Sequence, residues 1–146
     1  QIRVKGGAYG CMCSFSDQGD SMFVTYRDPN LSESYKVYDE AADYVVDFDA
    51  DDRDMKKYII GTIGSMDMPM EAVDMGARSF HAYFLDKTEA DLQKVRDQVL
   101  SCTQEDIRAL APIVKAVVEA GNRCCIGNEE KIDQNKEYFD EVKHVL

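Results

Sequence analysis

A double glycine, Gly6-Gly7, set between a charged run and an alternating apolar segment, constrains this chain more than any other feature. Glycine reaches positive φ without a Cβ penalty and lets another backbone come close, so the pair marks a bend or a close approach. Behind it, Ala8 to Phe15 alternate as a half-buried strand, with Tyr9, Cys11, Cys13 and Phe15 on one face. Ser16 to Asp20 form a polar turn, and Ser21 to Tyr26 alternate again, Met22, Val24 and Tyr26 on one face and Phe23 and Thr25 on the other. So short a polar connection makes an antiparallel hairpin the simplest pairing. Arg3 and Tyr9 flank the bend, one with a fork of donors, the other with a phenolic O–H. Spacing alone leaves them an ordinary surface arginine and a core tyrosine, or a functional pair.

The rest of the chain reads as helix. Asn30 with Glu33 three residues on is a capping-box arrangement. Leu31, Tyr35, Tyr38, Ala42, Val45 and Phe48 then keep one helical stripe. The acidic patch Asp47 to Asp54 lacks the glycine and terminal glutamate of a calcium loop and reads as a solvated turn and helix start. A second helix is expected from Asp52 to Ile63, where Gly61 and Gly64 imply close packing or an early end. Pro69 suits the first turn of a third helix burying Met70, Val73, Ala77, Phe80 and Phe84, with His81 structural and the surrounding methionines as adaptable core. Thr88 to Asp91 open a fourth helix, and Thr103 with Asp106 a fifth that Pro112 should kink or divide. Ala120-Gly121 ends it. Asn122 to Ile126 is expected as a short third strand, and Asn128 caps a last helix carrying Ile132, Tyr138, Phe139, Val142 and Leu146, interrupted near Asp133. The class that follows is α+β: an antiparallel sheet of a few strands against five or six helices, in one domain spanning residues 1–146.

Charge narrows the partners. Acids outnumber bases 28 to 17, a net −11, which argues against nucleic acid and anionic membrane, both of which need clustered Lys and Arg. No apolar run approaches the ~18 residues of a membrane span. The five cysteines, Cys11, Cys13, Cys102, Cys124 and Cys125, lack zinc-knuckle spacing and a nearby histidine. They read as buried free thiols of a reducing compartment. The paired-histidine zinc helix is absent around His81, and His144 is remote in sequence. No nucleophile elbow, phosphate loop or dinucleotide fingerprint occurs.

Four segments carry a resemblance. Arg3 to Gly10, Phe23 to Leu31 (Phe-Val-Thr-Tyr-Arg-Asp-Pro-Asn-Leu), Tyr58 to Gly64 (Tyr-Ile-Ile-Gly-Thr-Ile-Gly) and Cys125 to Ile132 fall in this order along nearly the whole chain. In that order they resemble the last domain of presequence-protease-type zinc metallopeptidases of the pitrilysin/insulinase group. The resemblance implies a truncated pitrilysin/insulinase-type (LuxS/metallohydrolase-like) domain, the C-terminal fragment of a larger peptidase with a paired-half, enclosed chamber. It implies a zinc held by an inverted His-x-x-Glu-His motif in the first domain, which this sequence does not contain. There the metal lowers the pKa of its water and the glutamate acts as general base. The resemblance puts the last domain's arginine and tyrosine on Arg3 and Tyr9. Tyr9 would donate to the developing oxyanion, and Arg3 would hold the substrate backbone or carboxylate.

The expected partners are therefore peptide substrates and the N-terminal catalytic half of the same polypeptide. The expected compartment is cytoplasmic, or an organelle matrix in a eukaryote. The fragment alone is expected to be inactive. The chain starts at Gln1, without the strand and helix that the family domain places before Arg3, so an open sheet edge and self-association are expected. Two rival functions stand beside this one. One is a non-catalytic binding or assembly module of the same fold, which predicts no inverted zinc motif upstream. The other is a cysteine metal or redox domain, which predicts bound metal or rapid thiol oxidation.

Overall fold

The computed structural model describes residues 1–16 and 18–144. Its elements run β1 Gly10–Phe15, β2 Ser21–Tyr26, α1 Leu31–Asp39, α2 Ala41–Val46, α3 Asp52–Met66, α4 Ala72–Phe84, α5 Glu89–Leu100, α6 Gln104–Arg108, α7 Ala111–Glu119 and α8 Glu129–Asp133, followed by a 3-10 turn Lys136–Tyr138. The class is α+β, as expected, but the helical part is cut into more and shorter pieces. The expected first helix is divided at Glu40, between α1 and α2. An apolar stripe survives such a division, so periodicity does not reveal it. Pro112 does divide the later helix, sitting in the first turn of α7 after α6 has ended. Leu146 of the expected last helix lies outside the described residues, as does Asp17 of the first turn.

The chain forms two units, Gln1–Asp47 with the segment from Leu110 onward, and Phe48–Ala109. In the first, β1 and β2 pair antiparallel in a register running from Gly10 opposite Tyr26 to Phe15 opposite Ser21. Phe23 is half-buried and stacks on Tyr38 of α1 at 5.2 Å between centroids, so the Ser21, Phe23 and Thr25 face is the inward one. Met22, Val24 and Tyr26 face water. α2 packs on α7, where Ala42, Ala111 and Val114 are buried. Tyr35 then gathers Tyr38, Tyr138 and Phe139 around it, at centroid separations of 6.3, 5.2 and 6.3 Å.

The second unit is helical. Asp51 caps α3 by accepting the Asp54 N–H, which accounts for the acidic patch. Thr88 and Thr103 cap α5 and α6 with full capping boxes to Asp91 and Asp106. α3 and α5 touch, the Ala50 N–H donates to Gln104 Oε1 at 3.0 Å, and the Arg108 Nε–H donates to the Phe48 carbonyl at 2.8 Å.

Several expectations are corrected. Asn122 to Ile126 is not a strand, for among the described residues only β1 and β2 pair, and Ile126 is 91% exposed. α4 starts at Ala72, beyond Pro69, and buries nothing: Val73, Phe80 and Phe84 lie on the surface with Met68, Met70 and Met75. His81 is exposed too. Gly61 and Gly64 neither end α3 nor admit a close neighbour, since nothing lies within 4 Å of where their Cβ would stand. The cysteines are free, but Cys11, Cys13 and Cys124 are exposed and Cys102 and Cys125 only half-buried.

Candidate functional site

The first eight residues coil into a tight turn before the hairpin. The Lys5 and Gly6 N–H groups donate to the Gln1 carbonyl at 3.2 and 2.8 Å, Gly7 N–H to Arg3 at 3.1 Å and Ala8 N–H to Ile2 at 3.2 Å. Ile2 and Ala8 are buried by this coil, and Arg3, between them in sequence, is left outside it. Both glycines are required. A Cβ on Gly6 would stand 2.5 Å from the Ile2 carbonyl oxygen, and Gly7 has φ +80.

A second turn, Arg27 to Asn30, braces the first. The expected helix-capping role of Asn30 is overturned: its side chain makes no cap bond and instead donates from Nδ2 to the Gly6 carbonyl. The Glu33 carboxylate accepts from its own backbone N–H and the Ser32 hydroxyl, whereas the Asn30 N–H that a capping box would supply goes to Asp28. Asp28 orders this turn, its Oδ1 accepting the Asn30 N–H at 3.0 Å and its Oδ2 accepting the hydroxyl of buried Ser34. The two turns meet again where the Tyr9 N–H donates to the Arg27 carbonyl at 3.4 Å.

Arg3 and Tyr9 thus sit at the two ends of the Gly6-Gly7 turn, both on the surface, Tyr9 69% exposed. Among the described residues the Arg3 side chain has no hydrogen-bond or ion-pair partner. Because β1 begins at Gly10, Tyr9 stands outside the strand's alternation and does not join the Cys13 face. Its ring lies edge-on to Tyr26 at 6.0 Å, and the Arg27 guanidinium sits 5.8 Å from the Tyr9 centroid and 5.2 Å from that of Tyr26. Arg27 takes φ 49, uncommon for a residue with a side chain. Three cations, Arg3, Lys5 and Arg27, belong to these two turns of an acidic chain. Sequence reading picked out Arg3 and Tyr9 but missed Arg27, Tyr26 and the brace from Asn30. The Asp28-Pro29-Asn30 run was the available signal, since it demands a turn directly after Arg27.

A second concavity, of about 460 Å³, opens between β2, α1 and α7 in the same unit. Arg123 at its wall donates to Asp39 Oδ1 and Oδ2 at 3.0 and 3.3 Å and lies over Tyr35 and Tyr138, so its charge is already committed. Burial pushes the Tyr35 hydroxyl up to about 12. Burial also raises Tyr38, an effect opposed by Thr25, and raises the thiols of Cys11, Cys102 and Cys125. Raised thiols are poor nucleophiles and poor metal ligands. Among the described residues no group of three or more His, Cys, Asp or Glu is arranged to hold a metal ion. These residues do not fit a zinc site. Among the described residues no helix is long and apolar enough to cross a membrane.

A family profile described as the PreP C-terminal domain matches residues 1–128. This chain belongs to that family, the presequence-protease C-terminal domains. It is 41% identical over 99% of its length to a protein of Clostridium perfringens named Protein HypA, covering 15% of that protein. Presequence protease 1, chloroplastic/mitochondrial, of Arabidopsis thaliana is 33% identical over the whole of this chain, which covers 14% of it. A mitochondrial presequence protease of Aspergillus fumigatus is 34% identical over 90% of this chain, which covers 12% of it. The chain thus spans about one seventh or less of the length of these relatives.

Proposed function

We propose that this chain is the C-terminal, substrate-binding domain of a zinc-dependent metalloendopeptidase that degrades peptides in an enclosed chamber. The observation that carries this reading is the placement of Arg3 and Tyr9 at the ends of one braced turn, both free to meet a ligand. In this reading the Tyr9 O–H donates a hydrogen bond to the scissile carbonyl oxygen as it gains negative charge, an interaction stronger in the transition state than in the substrate. Arg3 grips a backbone carbonyl or carboxylate of the peptide, for which a fork of donors suits. The two glycines leave the bend without side chains, so an extended peptide can lie close to its backbone. The zinc, when bound, supplies the Lewis acid of the reaction, and its ligands belong to the N-terminal half of the polypeptide. Peptides and that half are the partners. The compartment is a reducing one, an organelle matrix if the source is eukaryotic.

The test is Tyr9→Phe in the full-length enzyme. kcat is expected to fall about 10²–10³-fold with KM little changed, the size of a lost oxyanion donor. Unchanged turnover removes Tyr9 from the chemistry. Absence of an inverted His-x-x-Glu-His motif from the parent polypeptide favours the non-catalytic binding or assembly module instead.

A further inference from the structure

We infer that Arg27 is a positioning residue for Tyr9, acting through its ring and not on the substrate; this rests on the reading of Tyr9 as the oxyanion donor. A phenol that is 69% exposed has few walls to fix its torsions. Tyr9 has two: the edge-on ring of Tyr26 at 6.0 Å and the Arg27 guanidinium at 5.8 Å. Arg27 also lies 5.2 Å from the Tyr26 ring, so one cation joins the two phenols into a single cluster. Its backbone takes part as well, since the Arg27 carbonyl accepts the Tyr9 N–H. The cost of φ 49 at a residue with a Cβ is borne in a turn ordered by Asp28 and tied to Gly6 by Asn30.

The chemistry of this arrangement is specific. A guanidinium near an aromatic ring is attracted to its electron-rich face and holds the ring against torsional drift. A donor held in its reactive orientation before the substrate arrives loses less entropy in the transition state. None of this strengthens ground-state binding, so the effect belongs in kcat.

The experiment is a double-mutant cycle in the full-length enzyme, with a peptide substrate and separate kcat and KM. Arg27→Met keeps the stem and removes the charge. It is expected to lower kcat about tenfold, between the few-fold value of an exposed cation–π contact and the ~10²-fold cost of a ~1 Å misplacement, with KM unchanged. Arg27→Lys keeps the charge without the planar fork and should recover part of the loss. In the Tyr9→Phe background, Arg27→Met should cost nothing more, because the hydroxyl it positions is gone. Arg27→Gly, which suits the positive φ, gives the same reading if the Met variant fails to fold. A loss that multiplies with Tyr9→Phe, or one that appears in KM, overturns the inference and makes Arg27 a substrate contact. A large Tyr9→Phe effect with no Arg27→Met effect removes Arg27 alone. A null Tyr9→Phe effect removes both the reading and the inference.

Discussion

The two units of this chain are held together by different forces. In the first, apolar and aromatic side chains converge: Ile2, Ala8, Ala42, Ala111 and Val114 are buried, and Tyr35 sits among three other rings. In the second, Met55 is the one buried hydrophobic among the described residues. Order there comes from helix ends: Asp51, Thr88 and Thr103 cap three helices, and Arg96 pairs with Asp67. Caps and exposed ion pairs each contribute about 1 kcal/mol or less, whereas a buried aromatic contributes several times that. The candidate site is mounted on the unit with the packed interior, where a turn can be braced from below.

Removing the centre of the aromatic cluster should break this contrast most severely. Tyr35→Ala is expected to destabilise the first unit by about 2–3 kcal/mol, less than a fully buried ring because Tyr35 is only half-buried. Denaturant unfolding followed by tyrosine fluorescence checks this. The cluster has an alkaline signature as well. The Tyr35 pKa is raised from about 10 to about 12, so its contribution is complete below pH 10 and fades as pH rises from about 10 toward 12.

Thr88→Ala and Thr103→Ala test the second unit, each expected to cost about 1 kcal/mol of helix stability. Helical circular dichroism should report it. The caps also set an acid limit. The Thr88 side chain holds the Asp91 carboxyl below its usual range, and the Thr103 backbone N–H does the same for Asp106. A lowered carboxyl contributes above its unfolded pKa of about 3.9 and loses that contribution as pH falls through the folded value. Helical signal should therefore decline below about pH 4 in the wild type, and less so in Thr88→Ala, whereas Thr103→Ala keeps the backbone donor and most of the effect on Asp106.

The smallest effect is expected at Phe80→Ser. With the ring 66% exposed, stability should change by no more than about 0.5 kcal/mol. A loss of several kcal/mol would show that α4 is packed in solution after all.

Local chemistry was legible in the sequence, and tertiary burial was not. β2 matches its expected span, and Thr88, Thr103, Asn128, Pro112 and Gly121 start or stop helices where their backbone preferences dictate. Such signals act within a few residues. Two of the largest errors concern what an apolar residue faces. The α4 stripe has helical spacing and nothing over it, and Asn122 to Ile126 has strand composition without a partner strand. Asn30 was misread for a related reason. Its side chain had two acceptable uses, and the long-range bond to Gly6 took precedence over the local cap. At the candidate site the bend and its two flanking residues were readable, but the Arg27 contact is not, since it depends on how the hairpin brings position 27 against position 9.

The brace between the two turns has a consequence for length. Gly6 is tied to Asn30 and Tyr9 to Arg27, so only Gly7 and Ala8 lie between two fixed points on one four-residue turn. An added residue there would have to loop out or break one tie, and a deletion would not reach. The chain from Gly6 to Tyr9 is in effect a gauge block: its length cannot be altered without retiming everything the hairpin carries.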